Sequence, residues 1–159
     1  MSTMIDKVEF KIFDDAQLKT FCEKIIEVGP VEFSHIARLS YKDILDYWSN
    51  MLKRENFIGL NAYVSDELIG VINGVLIKHP YNNELLIGKE LQWWVAEKHR
   101  NSSVGMLLLD EFEKTLKLNG ANGLIMTLLH KDVELTRRLN LFYLRKNYKV
   151  FETYYIKEI

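Results

Sequence analysis

Residues 57–96, FIGLNAYVSDELIGVINGVLIKHPYNNELLIGKELQWWVA, limit the fold more than any other part of the chain. Here apolar residues stop recurring at helical spacing and take on the period of strands. The first half reads as two strands joined at Ser65, Asp66 and Glu67, a hairpin. The polar stretch HPYNNE reads as a loop rich in turn residues, and LLIGKELQWWVA as a third strand.

Helical and strand-like segments flank this block. VEFKIFD (residues 8–14) alternates apolar and polar, as a strand with one buried face does. Leu18, Phe21, Cys22, Ile25 and Ile26 then form a helical stripe, with Asp14 or Asp15 able to cap its start and Gly29-Pro30 to stop it. A second helix opens at Ser40 and carries Ile44, Leu45, Trp48, Met51 and Leu52. Beyond the strand block, Val104, Leu108, Leu109, Phe112 and Leu116 face one way on a helix that ends at Asn119-Gly120. NGLIMTLLH is a short apolar run suited to a buried central strand. A last helix carries Leu135, Leu139, Phe142 and Tyr143 as inward positions, and YKVFETYYIKEI closes as a strand. The order is strand, two helices, three strands, helix, strand, helix, strand, which is an α/β (α+β) domain with a mixed sheet over residues 1–159.

Bulk properties narrow the function. At 159 residues with formal net charge −1, the chain suits one domain and shows no overall basic footprint for nucleic acid, although Arg137, Arg138, Arg145, Lys146 and Lys149 cluster locally. Cys22 is the sole cysteine and lies on the apolar stripe, so an inert buried thiol in a reducing compartment is expected. His35, His79, His99 and His130 lack the paired spacing of a metal site. No apolar run reaches membrane-spanning length, and the N-terminus lacks the apolar segment of a signal peptide. A cytoplasmic protein without membrane or nucleic-acid partners is the expectation.

The stretch HRNSSVG, residues 99–105, joins the third strand of the block to the next helix. A helix start leaves amide N–H groups unpaired at the positive end of a dipole, so it suits a phosphate. It suits an ordinary serine cap equally well. Neither G-x-x-x-x-G-K-[ST] nor a strand-linked G-x-G-x-x-G occurs.

Arg100, Asn101, Ser102, Ser103, Val104 and Gly105 resemble the acyl-CoA loop [QR]-x-x-G-x-[GA] of the GNAT acetyltransferase superfamily, with Ser103 in place of the middle glycine. The resemblance extends along nearly the whole chain. The hairpin with Gly70 is similar to the family's second and third strands, and LQWWVAEKHR to its fourth. LFYLRKNY is similar to its closing fYeklGF, with Tyr143 at the tyrosine, Asn147 at the glycine and Tyr148 at the phenylalanine. The tryptophan-rich fourth strand also resembles that of some bacteriophage-encoded members. This likeness implies a mostly antiparallel twisted sheet, splayed between its fourth and fifth strands, with helices on both faces.

It further implies acetyl-CoA as cosubstrate and no metal. Backbone amides from Asn101 to Gly105 would hold the pyrophosphate with help from Arg100, and the backbone of Trp94 and Val95 would pair with the pantetheine arm. The acceptor implied is an amine of a small molecule or protein, and the family leaves room for a homodimer. A lysine-type ammonium titrates near 10.4, so on the order of one molecule in a thousand is neutral at pH 7 and a base assists. Glu90 is the candidate base, against the plainer reading of a solvated strand-end glutamate; by alternation it shares a face with Gln92 and Trp94, and Glu84 and His79 stand in reserve. Tyr143 matches the phenol that protonates the leaving thiolate, against a plain core aromatic. Trp93 and Trp94, as neighbours on a strand, point to opposite faces, and Tyr47 on the second helix is placed to reach the cleft. The competing function is a GNAT-fold module that binds CoA, or serves interaction, without catalysis. Transfer of a longer acyl chain is a third option.

Overall fold

The computed structural model describes residues 7–28, 40–128 and 133–152. The elements run β1 (Glu9–Ile12), α1 (Asp15–Val28), α2 (Tyr41–Leu52), β2 (Phe57–Val64), β3 (Glu67–His79), β4 (Asn82–Val95), a 3₁₀ turn (Glu97–His99), α3 (Val104–Leu118), β5 (Gly123–Ile125) and α4 (Val133–Arg145). The five strands form one sheet in the order β1-β2-β3-β4-β5, antiparallel from β1 to β4 and parallel between β4 and β5. This is the mixed α/β order expected from the sequence. Tyr148–Glu152 of the expected closing strand have no strand structure; residues 153–159, the Gly29-Pro30 stop, His35 and His130 lie outside the described residues.

Local chemistry explains most boundaries. Asp14 Oδ1 accepts from the Ala16 amide at 2.9 Å while Gln17 Oε1 accepts from the Asp14 amide, a reciprocal cap at the start of α1. Ser40 caps α2 by accepting from the Asp43 amide. Ser65 and Asp66 both have positive φ, which gives β2–β3 a two-residue turn whose twist suits a hairpin. The expected six-residue loop HPYNNE is shorter than that: β3 runs to His79 and β4 starts at Asn82, because cross-strand pairing continues to the His79–Asn82 position.

Two apolar cores sandwich the sheet. On one face α1 and α2 bring Leu18, Phe21, Cys22, Trp48 and Met51 against Leu68, Val71 and Val75. On the other, α3 brings Val104, Leu108, Leu109, Phe112 and Leu116 against Leu60, Ile69 and Ile72. Side chains of this size contribute about 1.5–3 kcal/mol each when fully buried. Cys22 is fully buried, and desolvation followed by the Glu23 charge raises its thiol to about 11, as an inert core cysteine should be.

One irregularity redirects the chemistry. Asn73 pairs with Gln92 but the next residue, Gly74, pairs with Glu90, so Leu91 is an extra residue in β4. The bulge breaks the expected alternation. Glu90 does not share a face with Gln92 and Trp94; it turns toward the α3 side with Trp93. Gly74 makes this approach possible, since a Cβ there would overlap the carbonyl oxygen of Lys89. We therefore expect Gly74→Ala to cost about 1–3 kcal/mol by overpacking, read as a lower urea midpoint. An unchanged midpoint would show that the bulge does not depend on this glycine.

Candidate active site

Pairing between β4 and β5 is brief: Ile87, Gly88 and Lys89 face Gly123, Leu124 and Ile125, and the ladder ends there. From Glu90 onward β4 runs away from β5, so among the described residues no strand pairs with it on that side. This is the splay that the resemblance implied. Trp93 and Trp94 flank the opening from opposite faces, Trp93 with the α3 core and Trp94 with the α1–α2 core.

At the vertex of the splay the backbone of one residue, Thr127, links two expected catalytic residues. Glu90 Oε2 accepts from the Thr127 amide at 3.0 Å, and the Tyr143 hydroxyl donates to the Thr127 carbonyl at 3.2 Å. Glu90 is 8% exposed and Tyr143 7%, so the reading of Glu90 as a solvated strand-end residue does not hold. Burial first, then the Glu90 charge, hold the Tyr143 phenol well above its ordinary value, which keeps it protonated. Glu84 is exposed, about 20 Å along β4 from Glu90 at 3.3 Å per residue, and His79 pairs across the same distant turn.

The end of α4 fixes the phenol. Asn147 takes φ 65°, the left-handed conformation expected of it at the glycine position. Tyr148 N–H then bonds the Tyr143 carbonyl and Asn147 N–H the Leu144 carbonyl, both at 3.0–3.1 Å. This turn folds the Tyr148 ring back onto the Tyr143 ring, 5.4 Å between centroids, while the Tyr148 hydroxyl donates to Glu113 Oε1 at 2.6 Å. Trp93 packs on the other side of Tyr143 at 6.1 Å. Leu135, expected to face inward, is 42% exposed instead.

The loop before α3 lies at the far end of the open edge. Ser103 has φ −75° and ψ −5°, a right-handed conformation open to any residue, so serine fits where the family pattern has glycine. Ser102 rather than Ser103 provides the side-chain bonds: its Oγ accepts from the Val104 amide at 3.2 Å and donates to the His99 carbonyl at 2.7 Å. The amides of Asn101, Ser103, Gly105 and Met106 find no acceptor among the described residues. Arg100 Nε donates to the Val95 carbonyl at 3.0 Å, which ties the loop to the end of β4.

Arg138 was visible in the sequence only as part of a basic cluster. In the fold that cluster breaks up into pairs: Arg137 with Glu134, and Lys146 with Asp110 and Glu113. Arg138 instead donates to Asn101 Oδ1 at 3.3 Å and makes no ion pair among the described residues. Two guanidinium groups thus border four unpaired amides, a donor set suited to phosphate oxygens. Tyr47 is 52% exposed and stacks edge-on with Trp48. Among the described residues no group of histidine, cysteine and carboxylate side chains could hold a metal, and no helix is long and apolar enough to cross a membrane.

Similar folds occur in an aminoglycoside acetyltransferase, HMB0005, from an uncultured soil metagenomic sample (14% identity, 96% of this chain and 99% of that one, TM-score 0.71). They occur also in a ribosomal-protein-alanine N-acetyltransferase from Brucella melitensis biovar Abortus 2308 (16% identity, 96% and 99% covered, TM-score 0.70). A third is AAC(6')-Iy in complex with the bisubstrate analogue CoA-S-monomethyl-acetylneamine (11% identity, 96% and 99% covered, TM-score 0.73). No curated protein matches the sequence significantly. The model of the acetyltransferase (GNAT) family matches residues 22–145, from α1 to the end of α4 and across both cores, the splay and the loop. At these identities the solved structures show the shared fold, and the family match shows that the chain belongs to the acetyltransferase (GNAT) family.

Proposed function

We propose that this protein transfers an acetyl group from acetyl-CoA to an amine by direct attack on the thioester. The observation that carries the reading is the open edge of β4, with unpaired loop amides at one end and the buried Glu90–Thr127–Tyr143 group at the other. The neighbour bound to a CoA bisubstrate analogue supports the cosubstrate. Small-molecule amines gain support as acceptors from the aminoglycoside acetyltransferases among the similar structures.

The geometry supports the following division of labour. The amides of Asn101, Ser103, Gly105 and Met106, with Arg100 and Arg138, hold the pyrophosphate. The open edge of β4 beside Trp94 and Val95 pairs with the pantetheine arm as a strand would, with the Val95 amide as donor. The thioester supplies an activated acyl group with a thiolate leaving group. Glu90, at the vertex, takes a proton from the ammonium so that the neutral amine attacks the thioester carbonyl; the C–N bond forms, the C–S bond breaks, and Tyr143 gives its phenolic proton to the departing sulfur. Because the phenol is held above its ordinary value of 10, it stays protonated across the working range.

Thermal shift tests cosubstrate binding: a ligand at 100 times its dissociation constant adds about 2.7 kcal/mol of stability. Acetyl-CoA should raise the melting temperature of the wild type but not of Gly105→Glu, which adds bulk and negative charge beside the phosphate donors. Gly105→Ala is the folding control, since a Cβ there meets Trp93 and Val95 at 3.5 and 3.6 Å, ordinary contact. No shift with the wild type would sink the cofactor assignment.

Ser103→Gly restores the family pattern and should leave CoA affinity within about twofold, while costing a few tenths to about 1 kcal/mol of stability. A large gain in affinity would mean that serine obstructs the loop.

Tyr143→Phe should lower kcat about 10²-fold or more with acetyl-CoA affinity nearly intact. Glu90→Gln should lower the rate most at low pH, where nearly all the amine is protonated, with the deficit shrinking as pH approaches the amine's own pKa. Wild-type turnover in the first variant, or a pH-independent deficit in the second, would remove that residue from its role.

A further inference from the structure

We propose that Glu90 positions Tyr143 through the backbone of Thr127, so that a carboxylate on β4 sets the aim of a phenol on α4. The inference rests on the acetyl-transfer reading and gives Glu90 a task separate from proton removal.

Thr127 lies two residues past the end of β5, beyond the last pairing with β4. Two side chains grip its backbone. Glu90 Oε2 accepts from its N–H and Tyr143 Oη donates to its carbonyl. Both side chains are buried, so bulk water competes poorly for either bond. The backbone here is a chain of rigid planar units, each with only two soft dihedrals per residue. The Thr127 N–H and C=O lie in two successive planes that meet at its Cα, so anchoring the first leaves only that residue's φ and ψ to set where the carbonyl points. The Trp93, Phe142 and Tyr148 rings pack around the Tyr143 ring but leave its oxygen to be aimed by Thr127. The proton that makes the bond to Thr127 is the one given to sulfur, so this contact sets the resting position of the phenol and is exchanged for the departing sulfur when the proton is delivered.

Two substitutions separate the two tasks. Glu90→Gln keeps an oxygen that accepts from Thr127 but takes up no proton; Glu90→Ala loses both functions. With Tyr143 present, kcat of the alanine variant should fall about tenfold below that of the glutamine variant. In the Tyr143→Phe background, with no hydroxyl left to aim, the two should agree within about twofold. The same ratio in both backgrounds would overturn the proposal.

Amide exchange and aromatic NMR of the ligand-free protein give a second reading that needs no turnover. Exchange at Thr127 should stay slow in the wild type and in Glu90→Gln, and quicken about tenfold or more in Glu90→Ala, with Tyr143 ring signals displaced only there. Unchanged Thr127 exchange and unchanged ring signals in the alanine variant would contradict the coupling. Glu90→Ser, too short to reach Thr127, replaces the alanine variant if that one does not fold. A wild type without acetyl-CoA turnover would refute the acetyl-transfer reading, while the exchange measurement would still decide the coupling.

Discussion

The parting of β4 from β5 after Lys89 and Ile125 is the constraint on which the rest of the structure turns. A strand that loses its neighbour inside a layered fold leaves N–H and C=O groups in need of partners, and unpaired buried groups cost about 1–3 kcal/mol each. The chain answers with side chains at the vertex, where Glu90 and Tyr143 satisfy the N–H and the C=O of Thr127. Arg100 meets the carbonyl of Val95 at the far end. The stretch between is a strand edge with no neighbouring strand on that side among the described residues, the kind of surface to which an extended ligand with amides of its own can add.

Helix ends aim the chemistry at that edge. The start of α3 leaves four amides unpaired beside two guanidinium groups, where backbone donors and side-chain charge act in the same direction. The end of α4 does the opposite work: its left-handed Asn147 closes the helix so tightly that Tyr148 seals one side of the Tyr143 ring. The Tyr148 bond to Glu113 then fastens this corner to α3. The loop before α3 and the Tyr143 phenol therefore belong to two helices that these bonds tie together.

How much of this could be read in advance depends on whether the cause is local. Ser40, Asn119-Gly120, Ser65-Asp66 and Asn147 act on their own neighbours, and each does in the fold what its residue type suggests. The opposite facing of Trp93 and Trp94 follows equally from strand period alone. The bulge at Leu91 does not, because the close approach it makes is to Gly74, sixteen or more residues away in sequence and visible only once β3 and β4 pair. A single extra residue turned Glu90 from the face predicted for it to the other, and buried it. The shortened HPYNNE loop and the isolation of Arg138 from its basic neighbours have the same origin: both depend on partners distant in the chain. Ser103, odd against the family pattern, proved ordinary once its backbone angles were known.

A crystal structure with acetyl-CoA or CoA bound tests the central claim most directly. The splay should hold the pantetheine arm against the backbone of Trp94 and Val95, with pyrophosphate oxygens at hydrogen-bonding distance from the Ser103, Gly105 and Met106 amides. The sulfur should then lie within about 3.5 Å of the Tyr143 hydroxyl, the reach that proton transfer requires. A cosubstrate bound elsewhere on the molecule, or a sulfur well out of reach of Tyr143, would contradict it.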